Sequence, residues 1–252
     1  MSNRAEVKYA KNVIGLMSGT SIDGIDAAFL KTDGLLHVET GEAITVPYGL
    51  DLRKTLSELV FSGKQSKTVE EQITVKHAEV ISQLLKKTNT AVVEIDLIGF
   101  HGHTIYHKPA QRKTLQIGDG ELLAKLTGVD VVCDFRSNDV KHGGQGAPLV
   151  PLYHQALAVR LEKPLAILNL GGVANITWLG HKDELLAFDT GPGNALLDDY
   201  MDMRLGEKQD TGGKLALSGN VDQSILATLL EHPYFSQNSP KSLDRNEFDL
   251  TP

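Results

Sequence analysis

The sequence predicts an α/β protein that contains two related halves. Short apolar runs typical of buried strands alternate with stretches of helical periodicity along most of the chain. A strand, a glycine-containing turn and a second strand occur near the N-terminus and again about 150 residues downstream. A repeat at that distance indicates two similar domains rather than a solenoid of short units. We therefore expect one domain at residues 1–162 and a second at residues 163–252.

The first half opens with three predicted strands, Asn12–Met17, Ile25–Lys31 and Leu35–Val46. Two helices are expected next, at Leu50–Phe61 and Val69–Lys87, and in the second of them apolar residues recur at helical spacing. The remaining elements predicted for this half are strands at Asp96–Phe100, Leu115–Ile117 and Val129–Cys133, helices at Glu121–Leu126 and Pro151–Leu161, and loops at residues 101–104 and 134–148.

The second half repeats the opening pattern in a shorter form. Its predicted strands are Leu165–Leu170, Ile176–Leu179 and Leu185–Phe188, and a helix is expected at Ala195–Arg204. No counterpart of residues 96–161 follows them, so we expect the second copy to be incomplete. A domain that lacks half of its core should expose apolar surface to solvent.

Composition narrows the range of partners. The 252 residues carry a net charge of −7 without a cluster of lysine and arginine, which argues against a nucleic-acid partner. No apolar run reaches the roughly 18 residues of a membrane span, and the N-terminus lacks the apolar segment of a signal peptide. The single cysteine, Cys133, lies in an apolar run where we expect it to be buried. These features predict a cytoplasmic protein without a membrane partner.

The turn after the first strand has the composition of an anion-binding site. Residues 18–26 include three hydroxyl groups and two glycines, whose missing Cβ lets backbone N–H groups approach an anion. Asp23 and Asp26 have the wrong charge for phosphate unless a divalent cation lies between them and the ligand. These features favour metal–nucleotide chemistry, although a polar hairpin turn would also explain them. The turn is not a Walker A loop, because no Lys-Ser or Lys-Thr follows at the required spacing.

A second glycine turn, Gly171-Gly172, follows the first strand of the second half. Two domains of this kind would face each other across a cleft, with both turns directed at one ligand.

Four motifs along the chain resemble those of the anhydro-N-acetylmuramic acid kinases, and Asp134-Phe135-Arg136 lies just ahead of the second. They are Gly19-Thr20-Ser21-Ile22-Asp23-Gly24-Ile25-Asp26, Gly143-Gly144-Gln145-Gly146-Ala147-Pro148-Leu149-Val150-Pro151, Asn169-Leu170-Gly171-Gly172-Val173-Ala174-Asn175 and Asp189-Thr190-Gly191-Pro192-Gly193-Asn194. The resemblance covers nearly the whole chain. It implies duplicated sugar kinase–Hsp70–actin-like domains with a ribonuclease H-like core, the second copy incomplete. The family continues beyond the length of this chain into a glycine-rich adenosine-binding turn.

The resemblance also implies a function. Members of the family use ATP and water to open the 1,6-anhydro bridge of 1,6-anhydro-N-acetylmuramic acid and to phosphorylate O6. The product is N-acetylmuramic acid 6-phosphate, an intermediate of peptidoglycan recycling. Magnesium, a cytoplasmic location and a homodimer are implied as well. Two alternatives stay open: another anhydro-sugar kinase of the levoglucosan type, and a catalytically inactive nucleotide-binding fragment.

By this resemblance, Asp189 is the base that activates water, because it ends an apolar strand and stands in the matching motif. A structural role for Asp189 in its loop remains an alternative, whereas an aspartic protease would need a second Asp-Thr-Gly or Asp-Ser-Gly. Asp23 would hold Mg²⁺ through water. Arg136 would bind the lactyl carboxylate of the sugar, unless it pairs with Asp134 or Asp139. The residues expected at the ATP phosphates are Gly19, Thr20, Ser21, Ile22, Asp23, Gly24, Ile25, Asp26, Gly171, Gly172 and Asn175, and those expected at the sugar are Arg136, Gly144, Gln145, Gly191 and Asn194.

Two positions depart from the family pattern. His103 stands where the family usually has Gln, and Leu243-Asp244 replaces the more usual Thr-Gly. His101, His103 and His107 also have a spacing that zinc ligands can adopt, but no Cys or Glu completes the set. We expect these histidines to line a pocket or to face solvent.

Overall fold

The computed structural model describes residues 9–19, 21–182, 184–244 and 247–248. Strands and helices occur throughout these ranges, which confirms the expected α/β class. Contacts between Cα atoms divide the chain into two compact units, one comprising Met1–Gly146 and Ala156–Val159 and the other Ala147–Gln155 and Arg160–Pro252. Each unit has its own β-sheet.

The first unit is built on a mixed sheet. Its strands are β1 (Lys11–Ser18), β2 (Gly24–Thr32), β3 (Val38–Pro47), β4 (Leu97–Lys108), β5 (Lys113–Ile117) and β6 (Val131–Cys133). Their order is β3-β2-β1-β4-β5, and β6 also pairs with β4. The first three strands form an antiparallel meander, whereas β4 runs parallel to β1 and β6. The carboxyl end of β1 therefore lies beside β4, with Ser18 opposite His103.

Helices α1 (Leu50–Ser62), α2 (Lys67–Thr88), α3 (Gly120–Thr127) and α4 (Ser137–Lys141) pack with this sheet. Ser66 caps the start of α2 by accepting a hydrogen bond from the N–H of Val69, and Asn89 ends the helix in the left-handed conformation. Side chains of α2 then join those of β1, β2 and β4 in one buried cluster, which includes Ile14, Ile25, Ile73, Leu84 and Ile98. Burial of each contributes about 1.5–3 kcal/mol, so the core fixes the strands that carry the candidate site.

Three local predictions for the first unit are wrong. Residues 101–104, expected as a loop, continue β4, because His103 and Thr104 pair with β5. The segment 134–148, also expected as a loop, contains α4. Cys133, expected to be buried, is exposed, because it ends a short strand for which, among the described residues, β4 is the one paired neighbour.

The second unit contains an antiparallel sheet of three strands, β7 (Leu165–Leu170), β8 (Val173–Leu179) and β9 (Leu185–Pro192), in that order. Its helices are Pro151–Gln155 from α5 (Pro151–Leu157), α6 (Ala195–Leu205), α7 (Lys214–Ser218) and α8 (Gln223–Leu230). Both units thus contain a three-stranded meander whose first turn carries glycine. Across the described ranges, no helix has the length and apolar character that a membrane span requires.

Apolar side chains of the second unit are exposed. Leu168 and Leu170 on β7 expose 57% and 61% of their surface. Leu217 and Leu229, on α7 and α8, are exposed to a similar or greater degree. The described part of this unit therefore does not cover all of its own apolar residues.

Candidate functional site

The turn between β1 and β2 is shorter than predicted. It comprises residues 19–23, because β2 already begins at Gly24 and Asp26 pairs with β1. Gly24, Ile25 and Asp26, expected in the turn, are strand residues. Thr20 lies outside the described residues.

A backbone outlier shapes this turn. Ile22 has a φ of 52°, and the left-handed region is strongly disfavoured for a β-branched residue. Its N–H donates to the carbonyl oxygen of Gly19 at 3.1 Å, and its side chain belongs to the buried core. Core packing thus offsets a conformational cost of about 1–3 kcal/mol. Because the side chains of Ile22 and Ile25 are buried, only their backbone groups can contact a ligand.

Ser21 and Asp23 in the turn, and Asp26 at the start of β2, have protein partners. Ser21 Oγ donates to Asp23 Oδ1 at 2.8 Å, and Asp26 Oδ1 accepts from Thr45 Oγ1 at 2.5 Å. Both aspartates are nevertheless exposed. Gly24 has a packing reason, since a Cβ there would lie 2.5 Å from a carbonyl oxygen of β3. The structure therefore leaves the two carboxylates accessible and explains Gly24 without a ligand.

A buried hydrogen-bond network supports the turn. Ser18 Oγ lies 2.6 Å from Tyr48 Oη and 2.8 Å from His103 Nδ1. The N–H of Tyr48 also donates to the carbonyl oxygen of Asp23 at 3.0 Å, so Tyr48 contacts both ends of the turn. Burial raises the pKa of Tyr48 to about 12, which keeps its hydroxyl protonated at neutral pH. His103 thus serves as a partner of Ser18 rather than facing solvent.

Among the residues that the structure describes in the first unit, His77, His101 and His103 are buried. Burial lowers the pKa of each to about 4, and for His101 the nearby Arg136 guanidinium adds to the effect. Each imidazole is therefore neutral at pH 7. The Nε2 atoms of His77 and His103 have no hydrogen-bond partner among the described residues. In the same ranges, no group of three or more His, Cys, Asp or Glu side chains is arranged to hold a metal ion.

Arg136 connects β4 to the glycine-rich loop. Its Nε donates to His101 Nε2 at 2.9 Å, and its Nη1 donates to the carbonyl oxygen of Gly146 at 2.6 Å. Asp139 holds the same loop, since its Oδ2 accepts from the N–H of Gly146 and its carbonyl oxygen accepts from the N–H of Gly144. These contacts bring two residues predicted to bind sugar, Arg136 and Gly144, into one structured region.

His107 contacts Gln145, a third residue predicted to bind sugar. Its Nε2 lies 2.8 Å from the carbonyl oxygen of Gln145, and its Nδ1 lies 2.9 Å from Thr114 Oγ1. Sequence reasoning placed His107 in a pocket or in solvent and considered Asp139 only as a partner of Arg136, so it missed both contacts with the loop. His107 and Gln145 are 38 residues apart, and no local pattern signals their contact.

In the second unit, the Gly171-Gly172 turn packs against the start of α6. The N–H groups of Gly193 and Asn194 donate to the carbonyl oxygens of Gly172 and Gly171, at 2.9 and 2.7 Å. Asn194 Nδ2 donates to the carbonyl oxygen of Leu170 at 2.8 Å. A Cβ on Gly193 would overlap the carbonyl oxygen of Gly171. The contacts join two predicted groups, the phosphate turn and the sugar residue Asn194.

Asn175 and Asp189 are cross-strand partners on β8 and β9. Side chains in this relation share a face of the sheet, with Cβ atoms about 4.5–5.5 Å apart. Asp189 is 8% exposed, and the Oδ1 atom of Asn175 is buried without a hydrogen-bond partner among the described residues. The adjoining pair of β8 and β9 places Gly191 opposite Ala174. The arrangement combines a nearly buried carboxylate with an unsatisfied acceptor, which suits a water molecule or a sugar hydroxyl.

Asp189 is held by a segment to which sequence reasoning gave no role. Its Oδ2 accepts from the N–H of Leu243 at 2.8 Å, and its own N–H donates to the carbonyl oxygen of Lys241 at 3.0 Å. Tyr234 Oη donates to the carbonyl oxygen of Asp189 at 2.6 Å. Leu243 makes this contact through its backbone amide, so the contact does not depend on the side chain at position 243.

The predicted site residues therefore form two groups, one in each unit. In the first unit, β4 links the turn to the glycine-rich loop, because His103 contacts Ser18 and His101 contacts Arg136. In the second unit, the Gly171-Gly172 turn and Asp189 lie on the same small sheet. Each group pairs a glycine turn with polar side chains that occur in the kinase motifs.

The sequence profile of the anhydro-N-acetylmuramic acid kinases matches residues 11–251. The chain belongs to this family. A similar protein named anhydro-N-acetylmuramic acid kinase, from Paramagnetospirillum magneticum, is 52% identical over 93% of this chain and 66% of its own length. Another protein of that name, from Rhodospirillum rubrum, is 50% identical over 95% of this chain and 64% of its own length. A third, from Agrobacterium fabrum, is 44% identical over 94% and 68%. The chain thus spans about two thirds of the length of these relatives.

Two solved structures show weak similarity to this chain. A reductive activator for corrinoid, iron-sulfur protein is 15% identical with a TM-score of 0.38, over 73% of this chain and 32% of that chain. The ethanolamine utilization protein EutJ from Carboxydothermus hydrogenoformans is 11% identical with a TM-score of 0.34, over 77% of this chain and 56% of that chain. Scores this low do not establish a common fold.

Proposed function

We propose that the protein is an ATP-dependent kinase that acts on 1,6-anhydro-N-acetylmuramic acid in peptidoglycan recycling. Water oxygen bonds to the anomeric carbon as the bond from that carbon to O6 breaks. O6 bonds to the γ-phosphorus of ATP as the bond to ADP breaks, which gives N-acetylmuramic acid 6-phosphate. A proton from the water passes to a base. Membership of the family and the similarity to proteins named as these kinases support this reaction.

The pairing of Asp189 with Asn175 carries the assignment of the base. Asp189 can accept a proton from water, and a carboxylate in this role typically contributes about 10²–10⁴-fold to the rate. Its low exposure limits competition from bulk solvent. Asn175 Oδ1, which has no hydrogen-bond partner among the described residues, can accept the second hydrogen of the same water, which would fix the direction of attack.

The two glycine turns are the proposed binding sites for the phosphates of ATP. The turn after β1 would bind an anion through backbone N–H groups, because Gly19 has no Cβ to block a close approach. Gly171 and Gly172 form the second proposed phosphate turn. When bound, ATP supplies the phosphoryl group, and Mg²⁺ neutralises charge on it. Asp23 suits Mg²⁺ held through water, since its exposed carboxylate is a single ligand and Mg²⁺ keeps much of its hydration shell.

The glycine-rich loop of the first unit is the proposed sugar-binding region. The Arg136 guanidinium would donate N–H groups to the lactyl carboxylate, while its contacts with His101 and Gly146 hold the guanidinium plane in place. Gly144 and Gln145 are held by backbone contacts, so they present a preorganised surface to the sugar. In the second unit, Gly191 and Asn194 are proposed as further sugar contacts.

We further infer that the chain contains two actin-like domains, at residues 1–162 and 163–252, of which the second is incomplete. The glycine-containing meander present in both units supports this, as do the exposed leucines of β7. A cytoplasmic location and a homodimer accompany the family assignment. Light scattering on the purified protein would measure the oligomeric state.

The test is the substitution Asp189→Asn with 1,6-anhydro-N-acetylmuramic acid and ATP. We expect kcat to fall about 10²–10⁴-fold with little change in the KM for ATP, because the base contacts water and not the nucleotide. ADP release and ³¹P NMR of the sugar 6-phosphate provide the readouts. Asp202→Asn, on the exposed face of α6, is the matched control. Absence of turnover by the unsubstituted protein would contradict the proposal. Turnover of levoglucosan but not of 1,6-anhydro-N-acetylmuramic acid would show that the substrate is a different anhydro-sugar.

A further inference from the structure

Residues 232–243 of the second unit pack against Asp189. The contacts that carry the argument are the hydrogen bonds from Tyr234 Oη, from the N–H of Leu243 and to the carbonyl oxygen of Lys241. Two of them bind the peptide groups on either side of the Asp189 Cα, and the third binds its carboxylate. Backbone and side chain of one residue are thus fixed by one segment, which we call the 232–243 segment.

Lys241 closes this segment on itself. Its Nζ donates to the carbonyl oxygen of Tyr234 at 2.7 Å and lies 4.3 Å from the centre of the Tyr234 ring. The cation thus interacts with both a carbonyl group and an aromatic face. Since the carbonyl oxygen of Lys241 accepts from Asp189, one residue links Tyr234 to the carboxylate-bearing strand.

Packing around Tyr234 adds to the constraint. Tyr234 is 2% exposed, and its ring lies 6.2 Å from that of Phe235 in an edge-on arrangement. A Cβ on Gly191 would lie 2.9 Å from the Phe235 ring, so the strand after Asp189 approaches the segment closely. Packing against Phe235 therefore favours glycine at position 191, whether or not this residue contacts the sugar.

We infer that Tyr234 and Lys241 are positioning residues for Asp189. The inference rests on the proposed function of Asp189 as the base. A base must stay within hydrogen-bond distance of the proton that it accepts, and a displacement of about 1 Å can cost up to 10²-fold in rate. Neither side chain needs to touch substrate. Tyr234 fixes the Asp189 carbonyl, and Lys241 keeps the segment folded so that the Leu243 amide reaches the carboxylate.

Paired substitutions test this role. Lys241→Met removes the ammonium group, Lys241→Arg keeps a cation with N–H donors, and Tyr234→Phe removes one hydroxyl. The matched controls are Lys208→Met and Tyr200→Phe, which change exposed side chains of the same unit. Two measurements are made on each purified protein: kcat and KM with 1,6-anhydro-N-acetylmuramic acid and ATP, and amide hydrogen exchange at residues 189 and 243 by NMR.

Lys241→Met and Tyr234→Phe should each lower kcat on the order of 10-fold with KM for ATP within about twofold. Lys241→Met should also speed exchange of the Asp189 and Leu243 amides on the order of 10-fold, while Lys241→Arg restores most of both properties. Unchanged exchange in Lys241→Met would overturn the role of Lys241 in holding the segment. Faster exchange with unchanged kcat would overturn its role in catalysis.

The same experiment separates this inference from the proposed function. If the unsubstituted protein shows no turnover, the proposed function fails, and the positioning role in catalysis fails with it. The exchange measurement then still decides whether Lys241 holds the segment against Asp189. If the unsubstituted protein turns over and the variants match the controls, only the positioning inference fails.

Discussion

Acidification should destabilise the first unit through its buried histidines. His77, His101 and His103 have pKa values lowered to about 4 by burial, against 6.5 for a solvated histidine. Between these values the unfolded chain binds more protons than the folded one. The contribution of the neutral histidines to the free energy of unfolding is therefore fully present above about pH 6.5 and is lost as the pH falls from there toward 4.

The magnitude follows from proton linkage. At pH 5 a histidine of pKa 6.5 is almost fully protonated in the unfolded chain, whereas one of pKa about 4 remains mostly neutral in the folded protein. Integration from pH 7 to pH 5 gives a loss of about 2 kcal/mol for each histidine. For the three together the loss is on the order of 5 kcal/mol, a large share of the roughly 5–15 kcal/mol that stabilises a typical domain.

Urea unfolding at pH 7 and pH 5 measures this loss. The NMR peak of the Ile98 amide, in β4, reports on the first unit, and fluorescence of Trp178, the single tryptophan, reports separately on the second. The variant His103→Gln should reduce the loss in the first unit by about 2 kcal/mol. His142→Gln changes an exposed histidine and serves as the control. A first unit whose stability changes by less than about 1 kcal/mol between the two pH values would refute the reasoning.

Two further predictions concern the glycine turns. Gly193→Ala should destabilise the second unit by about 1–3 kcal/mol or more, because the added Cβ would overlap the carbonyl oxygen of Gly171. Gly219→Ala is the control, since a Cβ there makes only an ordinary contact at 3.8 Å. Equal urea midpoints for the two variants, measured by Trp178 fluorescence, would contradict the packing. Tyr48→Phe should cost about 1 kcal/mol in the first unit, because Ser18 Oγ loses a buried partner, and should raise the KM for ATP more than it lowers kcat. Unchanged stability and KM would show that this network does not support the turn.

Much of the fold follows from local pattern. Helical spacing of apolar residues located α2 between Lys67 and Thr88 to within two residues of its prediction at Val69–Lys87. The strand–turn–strand pattern identified both meanders, because alternation and glycine are local properties. Pattern was misleading at residues 101–104, where histidine and glycine indicate a loop but cross-strand pairing with β5 continues the strand.

The candidate site also has features that local sequence predicts and features that only the folded chain shows. Glycine turns and the Asp189 motif are contiguous along the chain, so the sequence alone is enough to recognise them. The partners of Asp189 lie in residues 234–243, more than 40 positions away, and only folding brings them together. The contacts of His107 and Asp139 with the loop were missed for a related reason, since they reach backbone atoms of the loop, which no side-chain pattern encodes.

The sequence by itself determined the family, the two glycine turns and the Asp189 motif, because each is written in residues that are neighbours along the chain; the expectation that Asp189 ends its strand is wrong, since β9 continues to Pro192. Tertiary structure decided which groups hold these elements in place. Burial set the protonation of three histidines, and chain packing placed Tyr234, Lys241 and Leu243 around Asp189. Both outcomes depend on distances between residues remote in sequence, which follow from the packing of strands and loops and not from local composition.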